Sequence, residues 1–345
     1  MTAARGEWTD PRRACERCMI RRIALWLSLA LLGSSCTAQQ AYLAANDAAS
    51  QPRSYQVWQL LDAKTGALVP FDQWIRDAST YDIIYLGEEH HNAAHIEAGL
   101  KVLGGLRAQG RQPTLALEMF GWDGQAGLDR FLSDPGVSPE PFLKEARWED
   151  NWGGSFSDYE PLIAFARTHH LAVRALNPPR WLVRRVAKQG LASALTDPDM
   201  GRWGMWNQTL VDESAYRDVI IRQVHLCHGG LSEDAYRRMY EASLFRDEGM
   251  AKTLTETLGR QTKPDDLLVG PVVSYTGGGH IQYRLPLPNR VERRARRPVK
   301  QVTVYMTSFD PERAGDITEL LKDGIAGYLW LTPVGRDGMP RRCGS

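Results

Sequence analysis

The sequence predicts an α/β fold, a mainly parallel sheet flanked by helices with a helical subdomain inserted. Three observations carry this. Short apolar runs alternate with amphipathic stretches up to about residue 176. From Trp181 to about Leu258 the pattern is helical with almost no strand runs, and strand runs return after Leu267. Alternating strands and helices favour parallel pairing with helices on both faces.

In chain order, Ile83–Leu86 reads as a buried strand ending at Gly87, and Asn92–Leu106 has apolar residues at helical spacing. Thr114–Phe120 is the next strand, Gly124–Leu132 the next helix, and Leu171–Leu176 a strand stopped by Asn-Pro-Pro. The later strands fall at Leu267–Ser274, Val302–Met306 and Ala326–Leu331. No internal repeat is present.

Ahead of this domain the chain carries export signals. Arg residues at 12, 13, 17, 21 and 22 precede the apolar run 23–32, followed by Gly33-Ser-Ser-Cys36. A basic segment, a short apolar segment and small residues make a secretory leader over 1–36. The apolar run is shorter than the roughly 20 residues a membrane span needs. Met19, just before Ile-Arg-Arg, is an alternative start, which would remove the Cys15-x-x-Cys18 pair. Cys36 is the candidate for lipidation at the mature N-terminus, with soluble periplasmic release as the alternative. Residues 37–55 are polar and Ala-rich, a tether; the domain is expected over 56–335 and a tail over 336–345.

Lys and Arg number 42 against 41 Asp and Glu, a net charge of +1. That balance lacks the basic footprint of a nucleic-acid binder. The basic run Arg290–Arg297 reads as a solvated loop or helix end, with a site for an anionic partner as the alternative.

Functional groups in open parallel sheets gather beyond the carboxyl ends of strands. Gly87-Glu88-Glu-His90-His91 follows the first strand, Glu118 interrupts the apolar run LALEMF, and Tyr275-Thr-Gly-Gly-Gly-His280 follows a later strand. Two Gly-x-x-His elements, each after a strand, are expected to bring His90 and His280 to one rim beside Glu118. A carboxylate on a buried strand requires a partner or a ligand. The bland readings are turn-fixing hydrogen bonds for the histidines and backbone amides for Glu118. His91 and His95 stand four apart, a metal-ligand spacing on a helix, although a solvated helix face suits His91 as well. Arg246 and Asp247 read equally as a local ion pair.

Taken together, Gly87-Glu88-x-His90 with His95, Glu118, Trp152, Tyr159-x-Pro-Leu-Ile-x-Phe-Ala-Arg167, Asn177-x-Pro-Arg180, Val183-Arg-Arg-Val-Ala187, Arg246-Asp247-x-x-Met-Ala251 and Gly277-x-x-His280 resemble the ChaN-like haem-binding family. That family sits within the Tiki and erythromycin-esterase superfamily, and the resemblance covers roughly residues 80–335. The chain departs from it at Cys227-His228-Gly229, where relatives often read His-Cys-Gly, and at Ser243, where many have Gln. The resemblance implies a haem-binding envelope lipoprotein, dimerising around its cofactor and serving iron or haem uptake with outer-membrane or periplasmic machinery. It implies a site of Glu88, His90, His95, Glu118, Tyr159, Asn177, Arg180, Asp247 and His280, with a tyrosine on the haem iron. Tyr159, in a matching motif, is the candidate, with Tyr240 and Tyr275 near other matching elements left open, against the reading that Tyr159 simply packs on Trp152; ferric haem accepts a phenolate. The alternative is a metal-dependent esterase or peptidase, with Glu88 or Glu118 as base and His90 and His280 binding a divalent metal or polarising a carbonyl. A structural lipoprotein with a vestigial site is the third reading.

Overall fold

The computed structural model describes residues 54–261, 269–336, 338 and 339. The expected leader 1–36 with Met19 and Cys36, nearly all of the tether, and most of the tail lie outside the described residues.

From Tyr55 onward the chain forms one compact unit around a seven-stranded sheet. Its strands are β1 (Leu60–Asp62), β2 (Ile83–Glu88), β3 (Gln112–Gly121), β4 (Val173–Asn177), β5 (Val269–Gly277), β6 (Gln301–Ser308) and β7 (Tyr328–Thr332). They lie in the order β1-β7-β6-β2-β5-β3-β4, all neighbours parallel except β1 on β7. Each expected strand is present within a few residues of its predicted place. The unanticipated β1 spans only three residues, too short to leave a periodic signal.

β2, β3 and β5 read as apolar runs because helices bury both faces. Alternate side chains separate cleanly. Ile84, Leu86, Leu115, Leu117 and Val273 join the core beneath the Ala93–Ala108 and Glu160–Thr168 helices. Ile83, Tyr85, Ala116 and Val272 face Met250, Ala251, Leu254 and Leu258 of the Glu233–Gln261 helix. Each fully buried Leu or Ile contributes roughly 1.5–3 kcal/mol. The inserted helical segment is therefore no detached body: its long helix is the second layer of the sheet.

This topology places the functional rim. β5 enters between β2 and β3 although it comes later in the chain. Its register sets Gly277 opposite Glu88 and Tyr275 opposite Leu117. Three carboxyl strand ends, carrying Glu88, Glu118 and Gly277, are thus side by side.

Candidate functional site

Glu118 is the centre. It is 1% exposed, and its Oε2 accepts the Gly277 amide at 2.6 Å. Its Oε1 pairs with Arg246 Nη2 and stands 3.4 Å from His280 Nε2. Asn177 donates Nδ2 to the Glu118 carbonyl at 2.5 Å and accepts Arg246 Nε at 3.0 Å. Behind His280, Asp247 receives Nδ1 at 2.5 Å and the Tyr216 hydroxyl at 2.6 Å. Arg246 and Asp247 are consequently not paired with one another; neighbours on a helix point about 100° apart and serve different partners.

His90 stands on the same spot. A Cβ at Gly277 would lie 2.9 Å from both Cε1 and Nε2 of His90 and 3.5 Å from Glu118 Oε2. Only glycine leaves room for that ring: Gly277 separates His90 from Glu118, which His280 approaches directly. His90 donates Nδ1 to Glu88 Oε1 at 2.7 Å and meets Trp152 edge-on, with centroids 4.9 Å apart. Its Nε2 has no hydrogen-bond partner among the described residues, and its side chain is 40% exposed. Tyr159 donates its hydroxyl to the same Glu88 oxygen at 2.9 Å.

An open cleft of about 630 Å³ lies over these groups. His90, His91, Glu118, Trp152, Asn177 and Arg246 line it from the sheet side. Arg180, Val183, Arg184 and Ala187 line it from one face of the Arg180–Gln189 helix, at the i, i+3, i+4, i+7 positions that share a face.

The matching family is described as haem-binding uptake, Tiki superfamily, ChaN; its model covers residues 74–291. The chain belongs to this family. Among solved structures, the ChaN-family domain is similar to ChaN of Campylobacter jejuni, described as binding haem cofacially. That likeness has a TM-score of 0.59 at 17% identity and covers 80% of this chain and 97% of the other, a likeness of fold. The erythromycin esterase EreC in its open conformation matches with TM-score 0.42 at 13% identity, over 73% of this chain and 76% of the other. A Bacillus cereus protein matches with TM-score 0.35 at 12% identity, over 69% of each chain. No curated protein matches by sequence.

Charge in this ChaN-family site is distributed by environment. Burial alone would raise Glu118, but the charges of His280 and Arg246 hold it well below the usual carboxylate range. Burial likewise opposes the His280 cation, yet Glu118 and Asp247 push its pKa up to about 9. Burial opposes the His90 cation too, and the Glu88 hydrogen bond with the Glu118 charge leaves it raised. Glu88 has no guanidinium, so burial dominates and raises it despite His90.

Not every residue expected at the site reaches the cleft. Tyr159 is fully buried and crosses Trp152 edge-to-face, centroids 5.8 Å apart. Burial and the Glu88 charge push its phenol far above the ordinary range. In this structure the Tyr159 oxygen, the expected phenolate ligand, is hydrogen-bonded to Glu88 and does not line the cleft. His95 is also fully buried, accepting the Glu89 amide at Nδ1 and donating Nε2 to Thr332, both at 2.8 Å. Burial lowers its pKa to about 3, so it is a neutral cross-link between the β2 loop and β7. The His91/His95 metal spacing fails because the helix starts only at Ala93, and His91 has φ 65°. Among the described residues no group of three or more His, Cys, Asp or Glu is arranged to hold a metal ion. Glu88 and Asp247 sit behind His90 and His280, while His90, Glu118, Asn177 and Arg180 face the cleft.

Contributors outside the expected set include Arg246, Arg184 and His91. Arg184 follows Arg180 by four residues on a predicted helix, so its place beside Arg180 was readable. His91 lines the cleft with Nδ1 on Asp158 Oδ2 at 2.8 Å, and nothing in the spacing signals that 67-residue pairing.

Proposed function

We propose that the cleft binds haem with His90 offering Nε2 to the iron, and that the protein serves haem or iron uptake at the cell envelope. The observation that carries this is the carboxylate on the other side of the ring. Glu88 takes the Nδ1 proton, which fixes the tautomer, leaves the Nε2 lone pair toward the cleft and raises the ring's basicity. The remaining walls suit an amphiphilic macrocycle: Trp152, Val183 and Ala187 supply apolar surface, and Arg180, Arg184 and Arg246 supply cations for its carboxylates. Bound haem would supply the iron centre; the protein's own residues bind, orient and neutralise it.

Haemin titration of the purified protein tests the reading, following absorbance and molecular mass together. A Soret band is expected, lost in His90→Ala, with a mass increase if two copies close over the cofactor. No spectral change with haemin ends the proposal.

Attachment through a lipid on Cys36 completes the envelope reading. Among the described residues no helix is long and apolar enough to cross a membrane. Cys36→Ser is expected to release the protein from membranes, and unchanged association would remove the lipid anchor. The hydrolytic alternative rests on the same Glu88–His90 pair, since both Glu118 oxygens are already engaged, by Arg246 and by the Gly277 amide. Ester or peptide turnover abolished by Glu88→Gln would establish it.

A further inference from the structure

A second cavity lies apart from the cleft and exceeds it in volume. A volume of about 930 Å³ opens between the end of the Glu233–Gln261 helix and the segment that leads into β6, with Arg293, Arg294, Arg296, Arg297 and Lys252 in its wall. It contains none of the residues of the cleft. Arg297 pairs with Asp82, directly before β2, and Val299 shortly precedes β6. The cavity therefore sits near the amino ends of β2 and β6, at the opposite end of β2 from His90.

The cations are held in place by carboxylates. Glu248, 1% exposed, stands 3.2 Å from Arg293 Nη2 and takes Arg294 Nε and Nη2 at 2.9 and 2.5 Å. The fully buried Arg290 approaches the same carboxylate at 3.3 Å. Arg293 also reaches Glu213 at 3.3 Å, and Lys252 reaches Glu256 at 2.8 Å. The wall itself carries five cations, Lys252, Arg293, Arg294, Arg296 and Arg297, against two carboxylates, Glu248 and Glu256. Arg296 has no ion-pair partner among the described residues, and it is exposed. Asn207, Thr209 and Thr255 add neutral hydrogen-bonding groups to the wall.

We propose that this cavity is a binding site for a phosphate-bearing ligand carrying two or more negative charges. The guanidinium groups of Arg293 and Arg294, fixed by the buried Glu248, present N–H forks at little entropic cost beside the exposed Arg296, the arrangement that suits phosphate oxygens. The excess of positive charge selects an anion, and the volume admits more than a single phosphate group. The basic run, for which the sequence leaves a solvated end and an anionic partner site open, contributes residues 293–297 to the wall of this cavity.

Inorganic pyrophosphate titrated calorimetrically into the full chain tests this, with phosphatidylglycerol vesicles in a phosphatidylcholine background as the second arm. Saturable pyrophosphate binding is expected, weakened about tenfold or more by Arg296→Ala and unchanged by His90→Ala. Because Arg296 is exposed and unpaired, its melting curve should match the parent's, separating lost binding from lost folding. Vesicle binding lost in Arg296→Ala, without soluble binding, would assign the phosphate to a lipid headgroup. Binding to neither, or pyrophosphate binding that Arg296→Ala leaves intact, overturns the proposal.

Discussion

Replacing Tyr159 by Phe separates two roles for one phenol. In the structure its hydroxyl donates to Glu88 Oε1 at 2.9 Å and accepts the His91 amide at the longer distance of 3.3 Å. Phe keeps the ring and its edge-to-face contact with Trp152, so the loss is confined to the oxygen. A hydrogen bond to a charged, buried group is worth about 1.5–3 kcal/mol. In a domain of this size that corresponds to a fall in Tm of roughly 3–10 °C. The Tyr159 bond also holds the Glu88 carboxyl down, so its loss lets Glu88 rise further and loosens its grip on His90 Nδ1. The expected result is a less stable protein that still develops a Soret band with haemin at reduced affinity, whereas His90→Ala loses the band. Thermal melts and haemin difference spectra measure both. If Tyr159→Phe melts like the parent but no longer changes haemin's spectrum, the phenol binds iron and the placement argued here is wrong.

Stability against pH should reflect two buried histidines acting in opposite directions. His280, raised to about 9, contributes fully below its unfolded value near 6.5 and loses that contribution as pH climbs through 9, by at most roughly 3 kcal/mol. His95, lowered to about 3, costs stability as pH falls from 6.5 toward 3, at most about 1.4 kcal/mol per pH unit. Urea melts from pH 4 to 10 should show Asp247→Asn flattening the alkaline limb and His95→Gln the acid limb; unchanged slopes would reject the assignments. Gly277→Ala sets a methyl 2.9 Å from the His90 ring, so haemin affinity should drop while far-UV circular dichroism stays the same. Arg246→Ala strips the buried Glu118 of its guanidinium and should destabilise by about 2–4 kcal/mol, less than a fully buried pair because Arg246 is 30% exposed. A loss below about 0.5 kcal/mol in a denaturant melt would mean that water replaces it.

The strands and the rim were legible because both follow from local rules. An apolar run ending in Gly-x-x-His is a strand with polar groups at its carboxyl end, and Glu118 inside LALEMF is an acid that must find a partner. What stayed hidden was orientation. Tyr159 sits in a motif that marks its position but not the direction of its oxygen, and that direction is set by Glu88, 71 residues earlier. His95 looked like the helical neighbour of His91, yet Asn92 caps the helix, accepting the Ala94 amide at 2.9 Å, and places His91 before it. A four-residue spacing carries no common face across a helix start.

Residues 246–248 show why the helical segment was the hardest part to read and why its register matters most. Three consecutive charged side chains leave one helix in three directions: Arg246 to Glu118 and Asn177, Asp247 to His280 and Tyr216, Glu248 to the arginines of the basic cavity. Tyr216 closes the connection, its hydroxyl on Asp247 and its ring under the Arg290 guanidinium at 3.8 Å. A slip of one residue would rotate the helix by about 100° and bring each of these charges against the wrong partner, in a buried setting where an unpaired charge costs several kcal/mol. Apolar packing of Met250, Leu254 and Leu258 attaches this helix to the sheet, but such contacts tolerate sliding far better than ion pairs do. The charges therefore fix the register, and through it the position of the cation that holds Glu118 beneath the cleft.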